Sequence, residues 1–179
     1  MCIRDRVLAS VALDVVFIVA TMSLARRLGG RAAAVACGLY LALGPKFLTV
    51  FSLNSVGQYV DVLALGGLAL ALVPPLLQEE PSPSHRLRAL AVGLLLGAAF
   101  WQQPVATCYA IAVFAGLALR RGRGLRVRWG WTIAGLLVGA LPVILWNLRH
   151  GWATGEVMSP DSSGPVSYTH LTLPTILRV

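Results

Sequence analysis

Residues 86–121, RLRALAVGLLLGAAFWQQPVATCYAIAVFAGLALRR, decide the fold of this chain. Two apolar runs lie on either side of the polar break Trp101–Pro104, and arginines stand at both outer ends. Each run is shorter than the roughly 20 residues that a membrane-spanning helix needs. One interrupted helix would separate Arg86 from Arg120 across a bilayer, whereas a hairpin keeps both on one side. The positive-inside rule favours a short helical hairpin whose WQQP turn faces outward.

Further apolar segments flank this hairpin along the chain. Six segments emerge in all, at about 7–25, 32–50, 58–77, 87–101, 104–119 and 129–147. With the hairpin, the basic residues between these segments divide ten to two, and the outer side receives only Lys46 and Arg149. The ten predicted inner residues are Arg26, Arg27, Arg31, Arg86, Arg88, Arg120, Arg121, Arg123, Arg126 and Arg128. The pattern predicts an all-α, polytopic transmembrane helical bundle of about six membrane segments, including the short hairpin.

Composition favours a membrane protein over a nucleic-acid-binding protein. The chain is 57% hydrophobic and carries a formal net charge of +8, but its charges form short clusters between apolar stretches. We therefore predict the lipid bilayer as a partner and no nucleic acid. The cysteines show no spacing typical of a metal site or a disulfide framework, so the sequence predicts no metal ligands.

The two ends of the chain are related at the level of codons. Met1–Arg6 can be encoded so that the reverse complement translates as Pro165–His170, and the following LTLPT fits a translated sequencing adapter. We expect residues 1–6 and 165–179 to be adapter-derived artefacts, as a fusion scar would be. Residues 7–164 are then expected to form a partial transmembrane domain of a longer protein.

Glycines mark one turn and two helix contact surfaces. Arg27–Arg31 reads RLGGR, and its glycines can take the positive φ of a tight turn after a helix end. The pair Gly93 and Gly97 and the pair Gly135 and Gly139 both match the small-xxx-small pattern. We therefore predict that both pairs lie where helices pack closely.

Polar side chains at the predicted outer boundary are candidate substrate-binding residues. Asp61, with its neighbours Gln58 and Tyr59, begins the third apolar segment, where a carboxylate serves either a site or simple solvation at the interface. Gln102 and Gln103 can hydrogen-bond a sugar hydroxyl or a phosphate oxygen. Their alternative role is to satisfy backbone groups at the break before the proline.

Two basic residues complete the candidate set. Lys46 lies in the outer connection after the second segment, and Arg149 follows the sixth. Arg149 can meet an anionic headgroup or a pyrophosphate, or simply snorkel to the boundary. No phosphate-binding glycine loop, zinc spacing or catalytic triad occurs in the sequence, so these motifs identify no chemistry.

The order of these features resembles GT-C-type polytopic membrane glycosyltransferases that are protein-mannosyltransferase-like and use polyprenyl-phosphate sugars. The likeness lies in SLARRLGGRAAAVACGLYLALGPKFL (23–48), GQYVDVLALGGLALAL (57–72) and the hairpin of residues 87–121. It implies transfer of a sugar from a polyprenyl-phosphate donor to an acceptor at the outer face of the bacterial inner membrane. No fixed cofactor is implied, with a divalent metal as an option for the full-length enzyme.

The resemblance also implies where the catalytic group lies. The family's catalytic carboxylate belongs to an outer loop upstream of this chain, so we expect the fragment to be inactive alone. Asp61 matches the family's later aspartate by position. Gln103, however, stands where the family often has a lysine before the proline, so hydrogen bonding and not phosphate binding is predicted for this turn.

Two other functional classes fit the same spans. A transporter or permease component would explain buried polar residues, and its signature would be corresponding broken helices in two repeated halves. Only one broken pair is found, with no convincing repeat. A noncatalytic membrane scaffold is the third alternative, and its polar groups would be scattered instead of collecting at one face.

Overall fold

The computed structural model describes residues 3–44, 46, 50, 58–77, 83–119, 125–152 and 154–155. Every regular element within these ranges is a helix, which confirms the all-α prediction. The helices are α1 (Ile3–Ala42), α2 (Tyr59–Leu76), α3 (Pro83–Gln102), α4 (Thr107–Leu119), α5 (Leu125–Gly139) and α6 (Leu141–Arg149), with a 3-10 turn at Pro104–Ala106. The chain divides into two compact units, Met1–Pro142 and Val143–Val179. The predicted artefact at 165–179 lies outside the described residues.

Helix α1 reverses direction at a single residue. Gly30 has φ 78° and ψ −166°, a conformation outside the helical region. A Cβ built on Gly38 would lie 2.6 Å from the sulfur of Met22, although these residues would be about 24 Å apart along one continuous helix. The segments before and after Gly30 therefore pack against each other, and the turn predicted at Arg27–Arg31 is confirmed. Glycine is required because other residues rarely adopt this φ.

The predicted hairpin is also present. Helix α3 ends at Gln102, Gln103 is extended with φ −154° and ψ 135°, and the 3-10 turn leads into α4. Val92 of α3 and Val113 of α4 lie in one buried cluster, so α4 folds back along α3. Proline at position 104 explains the break, because its missing N–H and its ring do not fit a helix interior.

The closest helix contact joins the two glycine pairs. A Cβ built on Gly93 would lie 2.6 Å from the backbone nitrogen of Leu136, and one on Gly97 would lie 2.6 Å from that of Ala140. The glycines of α5 meet the backbone of α3 in the same way. Because the contact positions advance together along both chains, α3 and α5 are parallel. Glycine allows this approach because it presents no Cβ.

The predicted count of about six spans is not supported. By length and composition, two helical stretches among the described residues could cross a membrane. They are Val7–Ala42, which the reversal at Gly30 divides into two segments, and Tyr59–Leu76. The count rises to three if Arg128–Gly139 and Leu141–Arg149 form one broken span. The apolar run of helix α3 is too short to span a membrane. Between Arg88 and Gln102 this run is only about 20 Å long, whereas the hydrocarbon layer of a bilayer is about 30 Å thick. α4 is apolar but too short.

Helix α1 is the most outward-facing of these apolar elements. Its apolar stretch is hardly buried by the rest of the chain, whereas about half of α2 is buried. Leu8, Val15 and Val19 of α1 are all more than half exposed. Large apolar surfaces of this kind are covered by lipid or protein in their working environment. The exposure is consistent with a membrane protein.

Candidate functional site

Buried contacts place three segments at one end of the first unit. Val62 of α2, Ala99 of α3 and Ala106 of the 3-10 turn form one buried cluster. The first turn of α2, the last turn of α3 and the WQQP turn therefore lie together. We call this region, defined by Tyr59, Asp61, Gln102 and Gln103, the glutamine end.

The backbone shapes the start of α2. Gln58 caps the helix in the left-handed conformation, with φ 59° and ψ 13°, and makes no side-chain hydrogen bond to the helix N–H groups. Tyr59 is 37% exposed, so its ring is accessible. Asp61 lies in the first turn, where the positive end of the helix dipole favours a carboxylate. The structure therefore presents an aromatic ring and a carboxyl group two residues apart in the first turn of α2.

Backbone groups at the WQQP break find partners in the backbone itself. The amide of Gln103 donates to the carbonyl of Ala99 at 3.0 Å, and the amide of Ala106 donates to the carbonyl of Gln103 at 3.1 Å. The hydroxyl of Thr107 donates to the Pro104 carbonyl at 2.7 Å. These groups are satisfied without help from the glutamine amides. For the other backbone groups of the break, the alternative role of Gln102 and Gln103 stays a prediction.

Two predicted site residues, Lys46 and Arg149, belong to segments other than those that form the glutamine end. Lys46 is exposed, and the residues on both sides of it lie outside the described ranges. Arg149 occupies the last turn of α6 and belongs to the second unit. Within that unit Asn147 closes the helix end, since the Thr154 amide donates to its Oδ1 at 3.0 Å and the Trp152 amide to its carbonyl at 3.0 Å.

The opposite end of the first unit holds charged residues that the sequence analysis did not single out. Arg128 of α5 is only 8% exposed, and its Nη1 donates to the carbonyl of Leu76 at the C-terminus of α2. His85 in the first turn of α3 is 7% exposed. Arg88, one turn further along α3, is partly exposed. We call this region, defined by Leu76, His85, Arg88 and Arg128, the arginine end.

Local electrostatics at the arginine end disfavour a charged histidine. Burial lowers the pKa of the His85 imidazole, and the positive charges of Arg128 and Arg88 lower that pKa further. The Arg128 guanidinium, in contrast, faces the carbonyl end of α2, where the helix dipole favours a cation. The buried imidazole of His85 is therefore neutral, and the buried guanidinium of Arg128 beside it is charged.

A helical spacing in the sequence could have identified Arg128. Residues Arg128, Thr132, Gly135 and Gly139 recur at intervals of four, three and four, which is one face of a helix. The glycines were predicted to pack closely, so the same face brings Arg128 and Thr132 inward. Thr132 is fully buried and donates to the Arg128 carbonyl at 2.9 Å. No comparable signal in the sequence points to His85.

No group of three or more His, Cys, Asp or Glu side chains that could hold a metal ion occurs among the described residues. Comparisons of the chain with protein-family models, curated proteins and solved structures found no match. The candidate site therefore stands on the two ends of the first unit and on the residues that each end brings together.

Proposed function

We propose that this chain is part of a bacterial inner-membrane glycosyltransferase that takes a sugar from a polyprenyl-phosphate donor at the outer face of the membrane. One observation carries the proposal. Asp61 and the WQQP turn lie at the same end of the first unit, through the cluster of Val62, Ala99 and Ala106. A transferase of this kind needs polar groups from separate helices to converge beside the hydrocarbon layer, where the lipid donor is held.

The charges at the other end support the orientation. His85, Arg88 and Arg128 lie where α3 and α5 begin, and Asp61 lies where the antiparallel α2 begins. Under the positive-inside rule, the arginine end faces the cytoplasm. The glutamine end then faces outward, as a transferase using an outward-facing donor requires.

Each residue of the glutamine end has a distinct role in this proposal. The Asp61 carboxylate accepts hydrogen bonds from sugar hydroxyls, and the Gln102 amide both donates to and accepts from them. The exposed Tyr59 ring offers an apolar face to the sugar ring. These groups bind and orient the donor. The general base that activates the acceptor belongs to the upstream outer loop that the family resemblance implies.

Binding of lipid-linked sugars tests the proposal directly. The full-length protein in nanodiscs is titrated with undecaprenyl phosphate carrying mannose, glucose or arabinose, with undecaprenyl phosphate itself as the reference. We expect Asp61→Asn and Gln102→Ala to weaken binding of a glycosylated lipid by about tenfold, the loss of one good hydrogen bond to a charged or polar partner. Binding of the reference lipid should hardly change.

The control is Asp14→Asn, which makes the same chemical change in α1. It should leave binding of both lipids unaltered. If Asp61→Asn and Gln102→Ala retain full affinity for every glycosylated lipid, the glutamine end is not the donor site. Uptake of free sugar by vesicles containing the protein, without transfer from the lipid, would instead identify a transporter.

A further inference from the structure

Only one of the two terminal nitrogens of the Arg128 guanidinium makes a hydrogen bond. Its Nη1 donates to the carbonyl of Leu76, which lies in the last turn of α2, where helix carbonyls lack partners within the helix. Its Nη2 is buried and has no hydrogen-bond partner. A buried N–H donor of a cation costs free energy when it has no acceptor. An anionic oxygen that binds at Nη2 would remove this cost.

Arg88 supplies a second positive charge close to His85. Arg88 is partly exposed on the first turns of α3, and its positive charge acts on the same imidazole as that of Arg128. The described part of the arginine end therefore combines one partly exposed guanidinium and one buried guanidinium, and both are positively charged.

We propose that the arginine end binds the phosphate group of an anionic phospholipid, with Arg88 and Arg128 as its two cationic contacts. A phosphate offers oxygens that match the planar fork of a guanidinium. The partly exposed Arg88 makes the first contact. Because Nη2 of Arg128 is covered, its contact forms after a neighbouring side chain moves, and the resulting hydrogen bond is strengthened by the low local dielectric.

Position along the helices favours a lipid over a soluble phosphate. The site lies at the C-terminus of α2, a candidate membrane span, and at the N-terminus of α3. When α2 crosses a bilayer, its C-terminus reaches the headgroup layer. Basic pockets between helices on the cytoplasmic side of a membrane are suited to anionic headgroups. The acyl chains can then lie against exposed apolar side chains such as Leu87 and Leu94 of α3.

The test compares the full-length protein in nanodiscs of phosphatidylcholine with and without phosphatidylglycerol. Thermal unfolding and native mass spectrometry report stabilisation and the number of retained lipids. We expect phosphatidylglycerol at about ten times its dissociation constant to raise the Tm by about 3–6 °C. Arg88→Gln should weaken retention of phosphatidylglycerol by about tenfold and abolish most of the shift. Arg88 is partly exposed, whereas Arg128 is buried, so this variant disturbs packing less than Arg128→Gln does.

The controls separate the lipid from other sources of the same chemistry. Arg27→Gln removes an equal charge from an exposed position of α1 and should keep the full shift. Glu79→Gln with Glu80→Gln tests two acids outside the described residues. A shift that appears only in this double variant would show that the chain fills the site itself and would overturn the proposal. So would an unchanged shift in Arg88→Gln, or an equal shift from inorganic phosphate in phosphatidylcholine alone.

Discussion

The sharpest prediction concerns the contact between α3 and α5, because there the backbones of the two helices approach each other directly. A Cβ on Gly93 would lie 2.6 Å from the backbone nitrogen of Leu136 and still closer to the carbonyl oxygen of Thr132, whereas ordinary contacts of a Cβ begin at 3.4 Å. A side chain could turn aside, but the backbone of a helix cannot. Gly93→Ala therefore forces the two helices apart by about 1 Å.

The cost of that movement can be set against the gain in helix propensity. Overpacking of a close contact costs about 1–3 kcal/mol. Replacing glycine by alanine inside a helix recovers about 1 kcal/mol. The movement also loosens the burial of Thr132 and of the Arg128 side chain one turn before it. We therefore expect a net destabilisation of about 1–2 kcal/mol for Gly93→Ala.

A matched control lies in the same interface helix. Gly130 of α5 has no atom within 4 Å of a Cβ built on it, so Gly130→Ala makes the same chemical change without a clash. It should stabilise the protein by up to about 1 kcal/mol. Unfolding in detergent is followed by tryptophan fluorescence, to which Trp129 contributes. The ring centroids of Trp129 and Phe114 lie 5.1 Å apart between α5 and α4.

The ranking of the two variants decides the outcome. If Gly93→Ala is as stable as Gly130→Ala, the helices do not approach at Gly93 and the parallel pairing of α3 and α5 is wrong. Combining Gly93→Ala with Gly135→Ala adds a further check. Because either alanine alone already separates the helices, the double variant should lose less than the sum of the single losses.

Three further predictions follow from other contacts. Gly66→Ala places a Cβ 2.6 Å from the ring of Tyr109, so it should destabilise the protein in a denaturation assay, and Tyr109→Leu in the same chain should restore part of the loss. Since the folded pKa of His85 is lowered, the unfolded chain binds its proton first, so the Tm should fall as pH drops below about 6.5, and His85→Gln should flatten this dependence. Cys108 is exposed at the glutamine end, so a membrane-impermeant maleimide should label it from outside in a Cys2→Ser, Cys37→Ser background. Labelling only from inside would reverse the proposed orientation.

Breaks in the helices were predictable because single residues cause them. Gly30 turns the chain through a positive φ, and Pro104 ends the helix before it, whatever the neighbours are. The hairpin followed from the same break together with the arginines at its two ends. The number of spans was overestimated because the two short hairpin helices, α3 and α4, were counted as membrane segments although their apolar runs are shorter than a full span.

Sites were less predictable than breaks. Asp61 and Gln102 could be placed at one end of the molecule from charge asymmetry alone, and the cluster around Val62 brings their helix ends together. The burial of His85 and Arg128 was not predicted. Each lies in the first turn of a helix, next to a loop, and is buried only because another helix packs against it. Burial of such a residue depends on the partner, and the partner is absent from the local sequence.

By itself, the sequence determined that this protein is built from apolar helices, where those helices break, and which faces carry small residues. Only the tertiary structure decided that the glycines of α3 meet those of α5 in parallel, and that this contact buries Arg128 against the end of α2. The physical reason is that these helices are apolar on nearly every side, so periodicity does not select a partner. The partner of each helix is selected by how closely the two backbones can approach each other. This distance depends on both helices together and cannot be read from either one alone.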